Sequence, residues 1–412
     1  MVAQRFASFG ESVFAKFTRL AVQHGAVNLS QGFPDFDGPQ LAKDAAIAAI
    51  NAGHAQYAPM IGVPPLTKAI AESYAARGFD VGLGKGQIDP AQHVTVTCGC
   101  SEALPATLMG LLNPGDEIIL FEPYFDFYIA ATVMSGATPK FVALHAPTKA
   151  GEPFTFDERQ LRSAFTSRTK AILLNTPHNP TGKVYTRSEL ELIASLCVQH
   201  NVVCISDEVY EHLTYDATLP HIAMASLPGM AERTITLSSL GKTFSLTGWK
   251  VGWSLAPAPL SACVRAAHQF ITFSGPTPLQ HGAAAIIHDM THRKDGHGAM
   301  AFVQQLQKLY VSNRDKLAAA LARVGLTPHR SDSTYFLMAD HSAVSKRLGL
   351  DGDVAFCEYL TREIGVAAIP PTVFYDSKSL GKPLVRFAYC KKEATMEEAI
   401  GRLEGLGDGV TK

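Results

Sequence analysis

The sequence predicts an α/β protein, with a three-layer α/β/α domain around a mainly parallel central sheet and a smaller α+β domain after it. Three observations carry that prediction. From about residue 94 to 275, short apolar runs bounded by turn residues alternate with longer helical patterns, the order expected of crossovers between parallel strands. Beyond residue 290 the alternation gives way to a long helical pattern with scattered strand-like runs. Finally, 412 residues at 47% hydrophobic content can bury a sizeable core in roughly two domains, at about 150 residues each.

In chain order, the first residues hold one helical stretch, Glu11 to His24, and then a polar, Gly/Pro-rich segment through Pro39. They are expected to form an N-terminal arm over 1–45, packed on the small domain or across the active site. The large domain is expected over 46–290. Its first clear strand is Val94 to Cys98, followed by a helix from Ser101 to Leu112 that Asn113-Pro114-Gly115-Asp116 stops. Further strands are expected at Glu117 to Phe121, Lys140 to Leu144, Ala171 to Asn175, Val202 to Ser206, Thr234 to Ser238 and Val251 to Ala256. Thr186-Arg187-Ser188-Glu189 reads as a capping box opening a helix that runs to about His200. The small domain, 291–412, is expected to hold helices at Phe302 to Val324, Val354 to Ile364 and from about Thr395, with strands at Tyr335 to Met338 and Leu384 to Tyr389.

Charge and cysteine content narrow the functional classes. Lys plus Arg total 36 against 37 acidic residues, so nothing in the balance marks a nucleic acid or an anionic membrane as partner. Small-molecule substrates are expected instead. Seven cysteines form no paired zinc pattern and read as free, mostly buried thiols; no metal is expected, and the cytoplasm is the expected compartment. No window approaches the ~18 apolar residues of a membrane span.

Ligands of open parallel sheets bind beyond the carboxyl ends of the strands, so the polar residues after each apolar run are the candidate site. Asn175-Thr176-Pro177-His178-Asn179-Pro180-Thr181-Gly182 follows one run, Ser206-Asp207-Glu208-Val209-Tyr210 the next, and Ser239-Leu240-Gly241-Lys242 the third. These strand ends converge an amide, a carboxylate, a phenol and an amine. Lys242 and Lys250 lie eight residues apart in small, hydroxyl-rich, apolar surroundings. Desolvation or a neighbouring cation lowers a lysine's pKa and frees the neutral amine that attacks carbonyls.

With these stretches, and with Asn28-Leu29-Ser30-Gln31-Gly32-Phe33-Pro34-Asp35-Phe36, Gln56-Tyr57-Ala58-Pro59, Lys250-Val251-Gly252-Trp253 and Arg386-Phe387, the chain resembles the class I and II aminotransferases. These are pyridoxal phosphate enzymes of fold type I, and within them the chain is most similar to the kynurenine, glutamine and methionine aminotransferase group. The resemblance implies pyridoxal 5'-phosphate as cofactor, with Lys242 as its Schiff-base lysine and proton shuttle, Asp207 at the pyridine nitrogen, Tyr210 and Asn179 at the phenolate oxygen, and Phe125 on the ring. It implies a phosphate cup from the amides of Ser101 and Glu102, with Ser239 and Lys250, and Tyr57 entering from the partner of a homodimer. Arg386 is implied as clamp for the substrate carboxylate, aided by Asn179 and Gly32, with Phe14 and Phe273 at the side-chain pocket.

The expected reaction is transfer of an amino group from an L-amino acid (methionine, glutamine or an aromatic, kynurenine-like one) to a 2-oxo acid in a ping-pong cycle. Ser101 and Ser274 stand where kynurenine-type enzymes often carry Tyr and His, which favours unbranched side chains. The alternative on the same scaffold is β-elimination from cysteine S-conjugates. A binding-only homologue is disfavoured by the presence of Lys242, Asp207 and Arg386. Gly241-Lys242-Thr243 lacks the upstream glycine of a nucleotide-binding loop, Gly82-Leu83-Gly84-Lys85-Gly86 fits no dinucleotide fingerprint, and His288-Asp289-Met290-Thr291-His292 reads as a structural or exposed pair.

Overall fold

The computed structural model describes residues 3–7, 9–149 and 151–407. Its strands, in chain order, are β1 (Val27–Asn28), β2 (Val94–Thr97), β3 (Glu117–Glu122), β4 (Thr138–His145), β5 (Thr155–Phe156), β6 (Thr169–Asn175), β7 (Val203–Asp207), β8 (Thr234–Ser239), β9 (Gly252–Leu255), β10 (Thr327–Pro328), β11 (Phe336–Asp340), β12 (Val366–Ala367) and β13 (Leu384–Ala388). An eight-stranded sheet runs β2-β9-β8-β7-β6-β3-β4-β5, parallel from β8 through β4. The expected α/β class with a mainly parallel sheet is therefore what the chain adopts.

Two departures have simple causes. The strand after Lys250 runs antiparallel to both its neighbours: the segment from Ser239 to Gly252 is taken up by two short helical turns and the left-handed residues Ser245 and Lys250, and it turns back without a helical crossover. The two-residue β5 closes the far edge as a hairpin on β4.

Side chains alternate across the sheet and both faces are buried. Ile118 and Leu120 of β3 join Ala171 and Leu173 of β6 against the Cys100–Leu111 and Ala258–Ile271 helices. Ile119, Phe121, Ile172 and Leu174 point the other way, into the cluster that holds Leu190, Ile193 and Cys197 of the Arg187–His200 helix. That two-sided burial is why these strands read as continuous apolar runs. The capping box is present in both halves: the Glu189 amide donates to Thr186 Oγ1 and the Thr186 amide to Glu189 Oε2.

Toward the C-terminus, the Gly298–Arg323 helix backs a three-stranded antiparallel sheet, β10-β11-β13. The first helix starts at Val13 rather than Glu11, because Ser12 caps it by accepting from the Ala15 amide. The helix expected to end at Ile364 is α-helical over Gly352–Tyr359 and finishes in a π-helical turn over Leu360–Ile364, closed by left-handed Gly365. β1 pairs in parallel with β12, and the Ala388 amide bonds to Leu29 O, so the chain around residues 27–29 is stitched to C-terminal strands. Helix Gln40–Asn51 runs across the boundary expected at residue 45, and helix Thr277–His292 across that expected at 290. No helix among the described residues is long and apolar enough to cross a membrane.

Candidate active site

The connections leaving β3 and β6 diverge, and the carboxyl ends of β2, β3, β6, β7 and β8 open on one side of the sheet. There lies a cavity with about 980 Å³ of open space, part of it continuous with solvent. It is walled by eleven of the residues expected at the site: Phe14, Gly32, Ser101, Phe125, Asn179, Asp207, Tyr210, Ser239, Lys242, Lys250 and Arg386. Phe14 and Arg386, from opposite ends of the sequence, thus share one space, and strand register aligns other parts of its wall. Asn175 pairs with Asp207, and Gly252 lies between Ser239 and Thr97.

Asp207 ends β7 with its carboxylate buried. Oδ2 accepts from the Tyr128 hydroxyl at 2.6 Å and Oδ1 from the Val209 amide at 3.3 Å, and among the described residues no basic group lies in ion-pair range. Burial pushes its pKa up, and the Tyr128 hydrogen bond pulls against that. The two neighbouring carboxylates of the motif turn away. Glu208 takes Ser206 Oγ and His221 Nε2, and Glu211 takes Tyr74, Arg77 and Ser238.

Lys242 sits on the short helical turn Leu240–Thr243 with Nζ over the rings of Tyr335 at 5.6 Å and Tyr210 at 5.8 Å. Desolvation is the main cause that lowers its pKa, with Lys250 a lesser one, so the neutral amine owes more to burial than to a second cation. The loop between them turns back through two non-glycine residues in the left-handed region, Ser245 at φ 56° and Lys250 at φ 54°. That turn brings Lys250 Nζ to 2.7 Å from Ser101 Oγ.

Across from it, Gly99 at φ 69° opens the Cys100–Leu111 helix without a side-chain cap. The approach is close enough that a Cβ on Gly252 would meet Gly99 Cα at 2.7 Å, and one on Gly99 would meet Lys250 Nζ at 3.4 Å. The Cys100 and Ser101 amides, in the first turn of that helix, have no acceptor among the described residues, and free amides at a helix start suit an anion. Glu102 does not join them. Its amide donates to Gly99 O at 3.1 Å.

The Glu102 carboxylate instead anchors the turn from behind. It accepts from the Cys98 amide at 2.6 Å, from Thr272 Oγ1 at 2.5 Å and from His268 Nδ1 at 2.5 Å, while His268 Nε2 meets Met60 O at 2.8 Å. Both ring nitrogens of His268 face oxygen acceptors, an arrangement that favours the doubly protonated ring. Burial works against that charge, but the Glu102 hydrogen bond and carboxylate outweigh it and hold the His268 pKa above its ordinary 6.5. The folded ring therefore binds its proton more tightly than the unfolded one. Its stabilisation is full below about pH 6.5 and is lost as pH climbs through the raised folded value. At the acid end, burial raises the Glu102 pKa, but its hydrogen bonds win and hold it below the usual carboxylate range, so the pair also weakens as pH falls through that depressed value. His268→Ala, which leaves Glu102 buried and short of one donor, is expected to cost about 3 kcal/mol. Thermal melts at a series of pH values check this: the alkaline decline attributable to the pair should vanish in the variant, and an unchanged pH profile would remove His268 from the account.

Arg386, on β13, is almost wholly buried and lies among the rings of Phe336, Phe374 and Phe14 at 4.3, 5.0 and 5.4 Å. One terminal nitrogen donates to Ser30 O at 2.8 Å and the other reaches Asn179 Oδ1 at 3.4 Å, but Nε has no partner, and no carboxylate among the described residues pairs with it. Desolvation pulls its pKa down to about 10. A buried guanidinium without a counter-ion, on the wall of a cavity, is a receptor for an anion.

Tyr57 and Phe273 stand outside. Tyr57 is 86% exposed and meets Phe273 edge-on at 5.9 Å, so neither reaches the cavity of its own chain. Sequence reasoning missed Tyr128 and Tyr335, and it placed Asn175 in a candidate stretch without giving it a role. Tyr128 follows the Phe125 motif by three residues, and a buried phenol in need of a partner was the available signal. Asn175 Nδ2 donates to Asp207 O at 3.0 Å and its Oδ1 accepts from the Asn179 amide at 2.7 Å, fixing both strand ends. The Tyr335 hydroxyl donates to Gly32 O at 2.7 Å.

The sequence model of the family described as aminotransferase class I and II matches residues 25–403. Among curated proteins, the chain is 42% identical to a probable N-succinyldiaminopimelate aminotransferase, DapC, of Mycobacterium tuberculosis, over 99% of both chains. It is 40% identical to methionine aminotransferase of Escherichia coli, over 96% of each. Among solved structures, N-succinyldiaminopimelate aminotransferase from M. tuberculosis superposes with a TM-score of 0.89 at 42% identity, over 98% of this chain and 100% of that one.

Proposed function

From the premise that the chain belongs to the class I and II aminotransferases, pyridoxal 5'-phosphate enzymes that act on amino acids and 2-oxo acids, we propose the division of labour in its cavity. The unpartnered amides of Cys100 and Ser101, the Gly99–Gly252 close approach and the Lys250–Ser101 pair form a cradle that fits the cofactor phosphate. Ser239 borders the same space. The Asp207 carboxylate, buried without a cation, fits the protonated ring nitrogen, and Phe125 fits the ring face. Tyr210 and Asn179 would serve the phenol oxygen. When bound, the cofactor supplies an electron sink for the pair released at the substrate Cα.

Arg386 receives the substrate α-carboxylate, and with Asn179 and the backbone at Gly32 it orients the Cα–H bond. Lys242, whose pKa desolvation lowers toward the neutral amine, takes that proton and later returns it. Asp207 would place its carboxylate at the ring nitrogen, and the Tyr128 hydrogen bond favours its charged form against the effect of burial. The observation that carries this reading is Arg386, a buried cation waiting for a carboxylate.

The cavity's cations are Lys242, Lys250 and Arg386. With those assigned, the described residues that line the cavity offer no further cation for an anionic side chain, while Phe14, Phe127 and Phe336 offer apolar surface. This supports methionine-like and other uncharged donors. The N-succinyldiaminopimelate named for the M. tuberculosis relative is the reading favoured instead by overall identity. A homodimer is supported by the exposure of Tyr57, which is free to enter a neighbour's cavity, and by the adjacent exposed Phe270 and Phe273. A cytoplasmic setting is supported by seven free cysteines.

The test is the absorbance spectrum of the loaded enzyme after single additions of methionine, glutamine, kynurenine, phenylalanine or N-succinyldiaminopimelate without an acceptor. Bleaching with an uncharged donor supports this reading, bleaching only with N-succinyldiaminopimelate replaces it, and ammonia release from a cysteine conjugate would point to β-elimination. Tyr128→Phe removes a hydrogen bond to a charged group, worth about 1.5–3 kcal/mol. We expect kcat to fall roughly ten- to a hundredfold. Because that bond lowers the Asp207 pKa, the acid limb of the rate profile should move to higher pH. A profile with an unmoved acid limb would show that Tyr128 does not control Asp207.

A further inference from the structure

The pair His288 and His292, one turn apart at the end of the Thr277–His292 helix, belongs to no part of the cavity. The structure gives it a third member that sequence spacing could not show: Glu72, from the neighbouring Pro64–Ala76 helix. We propose that Glu72, His288 and His292 form a surface site for a divalent transition-metal cation of the zinc class.

The geometry is that of three converging ligands. Glu72 Oε2 lies 2.9 Å from His292 Nε2 and 4.0 Å from His288 Nδ1, and all three ligand atoms fall within 4.8 Å of one another. The two imidazoles face each other with ring centres 4.4 Å apart, tilted by 44°. Around a tetrahedral zinc with bonds near 2.0–2.1 Å, ligand atoms stand about 3.4 Å apart. The adjustment needed is on the order of an ångström. All three side chains are exposed enough to make it, at 34%, 63% and 47% for Glu72, His288 and His292. The second carboxylate oxygen, Oε1, faces Lys68 Nζ at 3.8 Å, so the cation would not compete with that contact for the same atom.

Ligand chemistry sets the class of ion. Two imidazoles and one carboxylate suit zinc, nickel or copper, whereas magnesium and calcium favour all-oxygen sites. Three protein ligands leave the fourth position to water. The ligands come from sequence positions more than two hundred apart and meet only in the folded chain, so the ion binds the native state and stabilises it by mass action. It would fasten together two helices whose facing sides pack Ile70 and Ile287 into one cluster. The Pro64–Ala76 helix also carries Tyr74, which with Arg77 just beyond it holds Glu211 beneath the β8 end of the cavity.

The experiment is calorimetric titration of the cofactor-loaded enzyme with Zn²⁺, and separately Mg²⁺, together with thermal melts, for the wild type, His292→Ala and Glu72→Gln. The expected result is one Zn²⁺ per chain, a Tm that rises with Zn²⁺ and not with Mg²⁺, and binding weakened about tenfold or more in both variants, at least the loss seen when an outer-shell partner is removed. Melts without metal establish that both variants fold. Absence of Zn²⁺ binding in the wild type, equal binding in the variants, or an equal response to Mg²⁺ would each overturn the site. None of these readouts depends on turnover, so the outcome is separate from that of the transaminase reading.

Discussion

Lys242→Ala is expected to reduce amino transfer by more than about 10⁴-fold, because one substitution removes both the covalent anchor and the proton carrier, the latter alone worth about 10² to 10⁴. The cofactor-free protein should survive the change. Lys242 Nζ lies over the Tyr210 and Tyr335 rings, and its pKa is lowered chiefly by desolvation, so the folded state carries a cost for taking that polar amine out of water. Removing it relieves the cost. The expected Tm of cofactor-free Lys242→Ala is therefore equal to or above that of the wild type, while the loaded wild type stands higher than the loaded variant because ligand binding adds stability. Activity of 2-oxo acid formation from methionine and melts of loaded and cofactor-free protein check both halves. Retained turnover would remove Lys242 from the chemistry, and a collapsed Tm would make it a structural residue.

Much of this was legible in the sequence, and the limits were physical. Strands buried on both faces announce themselves as apolar runs, so β3, β6, β7 and β8 were placed to within a residue or two, and the polar residues that follow them marked the cavity. Direction was not written locally. β9 looks like its neighbours in composition and is antiparallel because the chain before it turns back through short helical turns and left-handed residues rather than crossing over in a helix. Contacts that depend on three-dimensional approach were hidden as well. The resemblance spoke only for the Glu102 amide, and nothing local showed that its side chain would find His268 and Thr272, at the end of another helix 166 and 170 residues away. Likewise Glu72 is invisible beside His288 and His292 until two helices pack. Tyr128, by contrast, was within reach of the motif that named Phe125 and needed only the rule that a buried phenol seeks an acceptor.

Arg386→Met is expected to separate binding from stability. In the wild type the guanidinium is buried without a carboxylate, its Nε is unpartnered, and its pKa is pulled down to about 10, so the empty site carries an uncompensated charge. A substrate carboxylate would supply the missing acceptor. Methionine has a similar volume and no charge, so the variant should be at least as stable as the wild type in the absence of substrate, as buried charges replaced by apolar groups often are. Catalytic efficiency should move the other way. Losing a buried charge-assisted pair costs about 2–5 kcal/mol, or roughly thirty- to several thousandfold in kcat/KM for every donor that carries an α-carboxylate. Arg386→Lys keeps the charge but not the fork that spans Ser30 O and Asn179 Oδ1, so it should recover only part of the loss. A methionine analogue without its carboxylate supplies the control: wild type and Arg386→Met should turn it over at the same low rate, since Arg386 has nothing to hold. If the substitution harms that analogue as much as methionine, Arg386 acts by shaping the cavity with Phe14, Phe336 and Phe374 rather than by receiving an anion.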